Sequence, residues 1–461
     1  MNLTLSEVAA MLGVPYAGTD ATVLRVSTDS RNIQPGDLFI ALRGEKFDGG
    51  AFAALALQQG AAGVVLDASQ APDIAAAIRV DDTRLALGRL AAAWRARFDI
   101  PVVAITGSNG KTTVKEMLAA ILRAEAGSDA AVLATEGNLN NDIGVPQMML
   151  RLRDSHRYAV LEMGMNHLGE IDYLTRLARP DVALVNNALS AHIGLLGSVE
   201  AIARAKGEIF NGLGDGGIAI LNADDPHLPM WADMNARRTV LTFGLSAPAA
   251  VSGIWQPRDY GSALTLKLPN ATLEIALQVP GEHNVRNALA AATAAFALDV
   301  AHSSIVVGLA AYSGVKGRLV RSPALHGSTF IDDTYNANPD SVKAALAVLA
   351  TQPGKKILVL GDMGELGAEG PAMHAQIGLA ARAAGVDRMF ALGELTRESV
   401  RSFGKGAMHF ERIQELLADL ENELDSGTTV LVKGSRFMQM ERVVQSFRED
   451  PAAARRGNEV H

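Results

Sequence analysis

The 461-residue chain carries 42 Lys+Arg against 50 Asp+Glu, a net charge of −8, with 48% hydrophobic and 20% charged residues. That balance describes a globular protein without the basic stripe that a nucleic-acid partner requires, and the length calls for about three domains. Cysteine is absent, which excludes disulfides, thiolate metal sites and cysteine nucleophiles; no apolar run reaches membrane-spanning length and MNLTLSEVAAMLGV is no leader, so a cytoplasmic protein is expected. A monomer is expected as well.

Residues 1–83 mix short strands with helices and predict a small α/β domain. Thr4 caps the first helix, with Glu7 three residues on in a capping-box arrangement. The polar run Ser27-Thr28-Asp29-Ser30-Arg31 and the pair Arg43-Gly44 flank an apolar strand, Leu38–Leu42. These are either solvated loops or a pocket for an anionic ligand. Residues 84–98 form a helical connector that ends before Pro101.

From Val102 onward apolar strands and helices alternate: VVAIT, the helix opened by Lys111-Thr112-Thr113, AVLAT, YAVLE, a helix near 169–178, and DVALVNN. Such alternation implies a parallel sheet covered by helices on both faces, with ligands gathered outside the carboxyl ends of the strands. Residues 237–280 read as an antiparallel insertion, followed by a helix from Asn284 that ends near Gly314 and Gly317. A second alternation, STFIDD, KKILVLGDM, DRMFALG and TTVLVKGS, predicts a smaller Rossmann-like domain. The last residues, EDPAAARRGNEVH, lack periodicity and are expected to fray. The domains so read are 1–83, 84–315 and 316–461.

The stretch VVAITGSNGKTT carries the clearest chemistry. A β-branched strand breaks at Gly107, and Gly107 and Gly110 let the backbone curl around an oxyanion at a helix N-terminus. Lys111 adds a charge for outer phosphates, and the Thr112 hydroxyl suits Mg²⁺. The pattern is the short G-x-x-G-K-T form, because position 105 is Ile105 rather than glycine. A hard cation between phosphates needs a carboxylate at a neighbouring strand end, and Glu162 occupies such a place. His192, past the strand DVALVNN, is either a further ligand or an imidazole bonded to backbone. Lys206 is a solvated cation on its helix unless it points inward, where it needs a depressed pKa or covalent modification. Asn284 and Asn287 stand at a helix start; the run Asp332–Pro339 is too polar for core; Lys433-Gly434-Ser435-Arg436 reads as an anion or carboxylate site.

Together STDSR, GDLFIALRGEKFDG, TGSNGKTT, GNLNNDIGVP, LEMGMNHLGEI, AKGEIF, GEHNVRNALAA, GRL, DDTYNANPDS, LGDMGELG and LVKGSR, spread over residues 27–436, make the chain similar to the bacterial Mur ligases, most closely their D-alanyl-D-alanine-adding branch. The resemblance implies a UDP-gripping first domain, a central ATPase-like domain and a C-terminal domain that closes over ATP. It also implies ligation of D-alanyl-D-alanine to a UDP-N-acetylmuramoyl-tripeptide through an acyl phosphate, in peptidoglycan synthesis. It assigns Gly107, Ser108, Asn109, Gly110, Lys111, Thr112 and Thr113 to ATP, and Thr112, Glu162 and His192 to Mg²⁺. Lys206 matches a lysine carbamylated in several relatives. Asn284 and Asn287 fall to adenine, and Arg318 and Asp333 to ATP on closure. Ser27, Asp29, Ser30, Arg31 and Arg43 fall to the UDP-sugar, and Asn138, Asn140 and Asn141 to the sugar-peptide region. Asn336, Asn338, Lys433, Ser435 and Arg436 complete the substrate set. Gly50 stands where relatives commonly carry a histidine. A tripeptide-forming or folylpolyglutamate-synthetase-like ligase, or a nucleotide-controlled binding module, are the other readings.

Overall fold

The computed structural model describes residues 1–44, 47–69, 74–191 and 193–448. Residues 449–461, the segment expected to fray, lie outside them, as does His192.

Thr4 caps helix Leu5–Leu12 in a capping box with Glu7, as its spacing predicts. Behind it a four-stranded parallel sheet runs in the order Arg25–Ser27, Asp37–Ile40, Gly63–Asp67, Ala77–Val80. The next helix, Thr83–Arg95, is capped by Asp82 and carries Leu87, Leu90 and Trp94 into the core.

Six strands form the central sheet, all parallel, in the order Val132–Ala134, Tyr158–Glu162, Val102–Thr106, Val182–Val185, Ile218–Asn222, Thr239–Phe243. Strand Val102–Thr106 lies inside this sheet, and its side chains alternate between two cores. Val102 and Ala104 join a core continuous with Leu5 and Leu38 of the N-terminal unit and with Trp94 of the connecting helix, whereas Val103 and Ile105 face Val114, Leu118 and Val285. The period of two therefore welds the first unit to one face of the central sheet and leaves the other face to helix Lys111–Ala126.

Two expectations for the following region need correction. The antiparallel insertion is shorter than read: it spans Ser252–Arg258, Gly261–Leu268 and Ala271–Leu277, while Thr239–Phe243 is the parallel edge of the central sheet. The single helix from Asn284 is two, Glu282–Ala297 and His302–Ala311, because Asp299 takes a left-handed φ of 53° that ends the first.

The C-terminal sheet runs Val320–Pro323, Thr329–Asp333, Thr428–Lys433, Lys355–Gly361, Arg388–Leu392, Ala407–Phe410, parallel except for its first strand. The two edge strands, Val320–Pro323 and Ala407–Phe410, escape a reading of apolar runs because they are short and mixed. Among the described residues no helix is long and apolar enough to cross a membrane.

Gly308 marks a close approach of helix His302–Ala311 to helix Lys111–Ala126. Any Cβ there would meet the backbone of Ala120 and Ile121 in helix Lys111–Ala126. Gly308→Ala should therefore destabilise the protein by about 1–3 kcal/mol, the usual cost of forced overpacking. Urea unfolding measures this, and an unchanged midpoint would refute the contact.

Candidate active site

The site grows from the break after Thr106. Gly110 has a left-handed φ of 81°, and a Cβ there would collide with the Asn287 amide, so backbone and neighbour both demand glycine. Helix Lys111–Ala126 starts with no side-chain cap, leaving its first amides for an anion. The Lys111 ammonium folds back on the loop carbonyls of Gly107 (2.7 Å) and Ser108 (3.4 Å). Burial lowers its pKa from the ordinary lysine range, with Glu162 opposing and Arg318 reinforcing the shift.

Thr112 is the node of the site. Its hydroxyl donates to Glu162 Oε2 at 2.8 Å and accepts from Arg318 Nη2 at 3.0 Å. Glu162 is buried, and its other oxygen accepts from Asn140 at 2.8 Å. Three segments distant in sequence thus meet at one hydroxyl. Arg318 stacks 4.3 Å above the Tyr335 ring, and its buried Nε has no hydrogen-bond partner among the described residues.

Asparagines hold the loop in shape. Asn187 Oδ1 accepts from the Asn109 amide at 2.9 Å, while Asn186 Nδ2 donates to the Asn109 carbonyl and to Asn287 Oδ1, both at 2.9 Å. Asn284 donates to the Pro280 carbonyl at 2.8 Å, which braces the start of its own helix. From the C-terminal side, Asn338 caps helix Pro339–Ala350 through its oxygen and donates to Asn109 Oδ1 at 2.7 Å. Asp340 accepts from the amide and hydroxyl of Ser190 at 3.1 and 2.5 Å. The C-terminal unit is therefore drawn over the glycine loop.

These contacts enclose a cavity of about 1060 Å³, lined by Lys111, Thr112, Glu162 and Arg318 among others. The cavity wall also includes Ser108, Asn109, Gly110, Thr113, Asn138, Asn140, Asn141, Asn284, Asn287, Asp333, Asn336, Asn338, Lys433, Ser435 and Arg436, while Gly107 sits beneath its loop. Ser27, Asp29, Ser30, Arg31 and Arg43 are not on this wall. Asp29 and Arg31 pair with each other at 2.8 Å, and Gln147 of the central unit donates to Thr28 of this segment at 2.6 Å.

The loop after Val432 departs from the expected pair of free cations. Lys433 is buried in an ion pair with Asp333 at 2.6 Å and donates to the Asn336 carbonyl at 2.8 Å. Arg436 is exposed and turned onto Glu441 at 2.9 Å. Ser435 accepts from the Gly364 amide and donates to the Ala337 carbonyl, tying two cavity loops together. Burial raises the Asp333 pKa, against the opposing charges of Lys433 and Arg318. Lys206 is buried, and burial, reinforced by the Lys111 charge, holds its amine well below the ordinary lysine range.

Asn186, Asn187, Tyr335, Ser190 and Asp340 were missed as site residues. The strand-end rule that found Glu162 also reaches Asn186 and Asn187, one strand over on the other side of Val102–Thr106. The Ser190–Asp340 contact joins residues 150 apart and has no local signal.

Three family models cover the chain: the Mur ligase family, catalytic domain, over residues 22–95; the Mur ligase middle domain over 105–295; and the Mur ligase, glutamate ligase domain, over 317–436. The chain belongs to the Mur ligase family. Among these ligases, the UDP-N-acetylmuramoyl-tripeptide--D-alanyl-D-alanine ligase of Escherichia coli is 42% identical over 98% of this chain and 99% of its own length. The structure of MurF from Acinetobacter baumannii superposes with a TM-score of 0.90 at 36% identity, covering 97% of this chain and 98% of that one. MurF ligase from Thermotoga maritima, solved in complex with ADP, gives 0.82 at 28% identity, covering 91% and 96%.

His283 gives this ligase-family site a pH signature. Burial, then the Lys433 charge, pushes its pKa down from 6.5 to about 4, with Glu282 opposing. Between those values the unfolded chain binds the extra proton, so the stabilisation is complete above pH 6.5 and disappears as pH falls towards 4. The urea midpoint of His283→Gln should therefore fall less between pH 7 and pH 4.5 than that of the wild type; equal falls would contradict it.

Proposed function

We propose that this Mur ligase joins D-alanyl-D-alanine to UDP-N-acetylmuramoyl-tripeptide at the expense of ATP, forming the pentapeptide precursor of peptidoglycan. The convergence of the glycine loop, Glu162 and Arg318 on the Thr112 hydroxyl carries the phosphoryl-transfer part. The choice of substrates is supported by the ligases of that name aligning over nearly the whole chain, 42% identical in one case and 36% in that of Bacillus subtilis.

A carboxylate does not react with an amine in water, because oxide is the leaving group. Phosphorylation removes that obstacle: the tripeptide carboxylate attacks the γ-phosphorus, ADP departs, and the free amine of D-alanyl-D-alanine then attacks the acyl carbon and expels phosphate. Two anions must approach in the first step, so positive charge and oriented amides are the main requirement. The helix N-terminus, Lys111 and Arg318 supply both. Asn284 and Asn287 take the adenine side of ATP, and Asp333 reaches ATP on closure.

Thr112 and Glu162 present hard oxygen donors that fit Mg²⁺, which when bound neutralises phosphate charge. A neutral Lys206 amine is the form that combines with CO₂ to give a carbamate and a proton, and we assign Lys206 that modification. Residues 1–83 take the UDP end, 84–315 the nucleotide, and 316–461 close the site over the amine substrate. ATP and a nucleotide-linked substrate make this a cytoplasmic reaction.

Purified protein should release ADP and phosphate only when ATP, Mg²⁺, UDP-tripeptide and D-alanyl-D-alanine are all present. Lys111→Ala and Glu162→Gln should each lower kcat by about 10²–10³. ADP formation that ignores the dipeptide, or no amide product in mass spectra, would sink the ligase reading. For the carbamate, ¹³C-bicarbonate should give a carbonyl NMR signal that is lost in Lys206→Arg; its persistence would exclude Lys206 as the site.

A further inference from the structure

The antiparallel insertion supplies no residue to the cavity wall between Ser252 and Leu277, yet one of its side chains leaves its own sheet. At the first turn Asp259 takes a φ of 31°, and the next residue, Tyr260, packs against the C-terminal core that contains Leu319, Ile331 and Leu358. Its hydroxyl donates to the Leu319 carbonyl at 2.9 Å, and the Arg321 guanidinium lies 5.5 Å over its ring. Burial raises the phenol pKa above the ordinary tyrosine range, so the hydroxyl remains a donor throughout the working pH range.

Leu319 is the residue that requires holding. Its φ of 55° is left-handed, a conformation that costs a non-glycine residue on the order of 1 kcal/mol and persists only where its surroundings enforce it. Its carbonyl accepts from Tyr260, so the strained residue is pinned on that side. Leu319 follows Arg318 directly, and with its backbone fixed, the direction in which Arg318 leaves strand Val320–Pro323 is fixed too. Arg318 then reaches Thr112 at 3.0 Å, and the Gly317 carbonyl accepts from the Tyr335 amide at 3.1 Å beneath the stacked ring.

We propose that Tyr260 is a positioning residue for phosphoryl transfer, its hydroxyl holding the Leu319 backbone so that Arg318 is aimed at the Thr112 phosphate site. The inference rests on the assignment of Arg318 to ATP above. It gives the insertion a task that packing alone does not: a central-unit hairpin sets the geometry of the crossing into the C-terminal unit. A purely structural Tyr260 would contribute through its ring, whereas the positioning role resides in the hydroxyl.

The test compares wild type, Tyr260→Phe, Arg318→Ala and the double variant as full-length proteins, by steady-state ADP release with all substrates present. Tyr260→Phe keeps the ring and the fold, so its thermal midpoint should stay within about 2 °C of wild type. Its kcat should fall by about 5- to 20-fold, of the size expected for one lost hydrogen bond, with KM for the UDP-tripeptide unchanged. Added to Arg318→Ala, Tyr260→Phe should cause no further loss, because groups acting through one another are not additive. Wild-type kcat in Tyr260→Phe, or losses that multiply in the double variant, would overturn the positioning role alone. A wild type that forms no amide would overturn both this role and the ligase reading.

Discussion

A helix that begins without a cap beside a polar cavity leaves backbone amides that need an anionic partner, and the rest of the molecule is arranged around the start of helix Lys111–Ala126. Glycine at position 110 brings that start close to Asn186 and Asn287, which leave no room for a side chain. The Thr112 hydroxyl, one residue inside the helix, has both of its hydrogen-bonding functions in use, towards Glu162 and towards Arg318. Donor and acceptor come from opposite sides of the cavity, so the hydroxyl measures whether the two sides are in register.

The N-terminal and C-terminal units are joined to the central one in two physically different ways. The N-terminal unit shares an apolar core with one face of the central sheet, through Leu5 and Leu38 on one side, Ala104 on the other and Trp94 of the connecting helix between them. Separating it would expose that core to water, which costs roughly 25 cal/mol for each Å² of apolar surface. Over the glycine loop, the C-terminal unit makes mainly polar contacts: Asn338 to Asn109, Asp340 to Ser190 and Arg318 to Thr112. Water can replace contacts of this kind at a net cost of about 1 kcal/mol each, so this side of the cavity is the one suited to admit and release nucleotide.

Legibility in the sequence followed the range of the interaction. Thr4 and Glu7 announce their capping box because both partners lie within one turn. Strand Tyr158–Glu162 and the glycine loop read correctly because a β-branched run ended by polar residues is a local signal. The stretch from Asn284 reads as one helix because its alanine-rich pattern continues across the left-handed Asp299, whose backbone turn no composition reveals. Lys433 and Arg436 read as neighbouring cations facing one anion; in the fold, Asp333 takes the first and Glu441 the second.

The sequence by itself determined the parallel α/β architecture, the phosphate-binding turn and the carboxylate at the next strand end, since each depends on periodicity or on residues a few positions apart. Its motifs also carried the resemblance to the ligase family. Tertiary structure alone decided which polar groups meet. The Asn109–Asn338 clasp, the Ser190–Asp340 contact and the Tyr260 hydroxyl on Leu319 join residues 229, 150 and 59 apart. Chain order carries no trace of such pairs, because a hydrogen bond is specified by the position of two atoms in space, and only the packed sheets and the strained backbone at Leu319 set those positions.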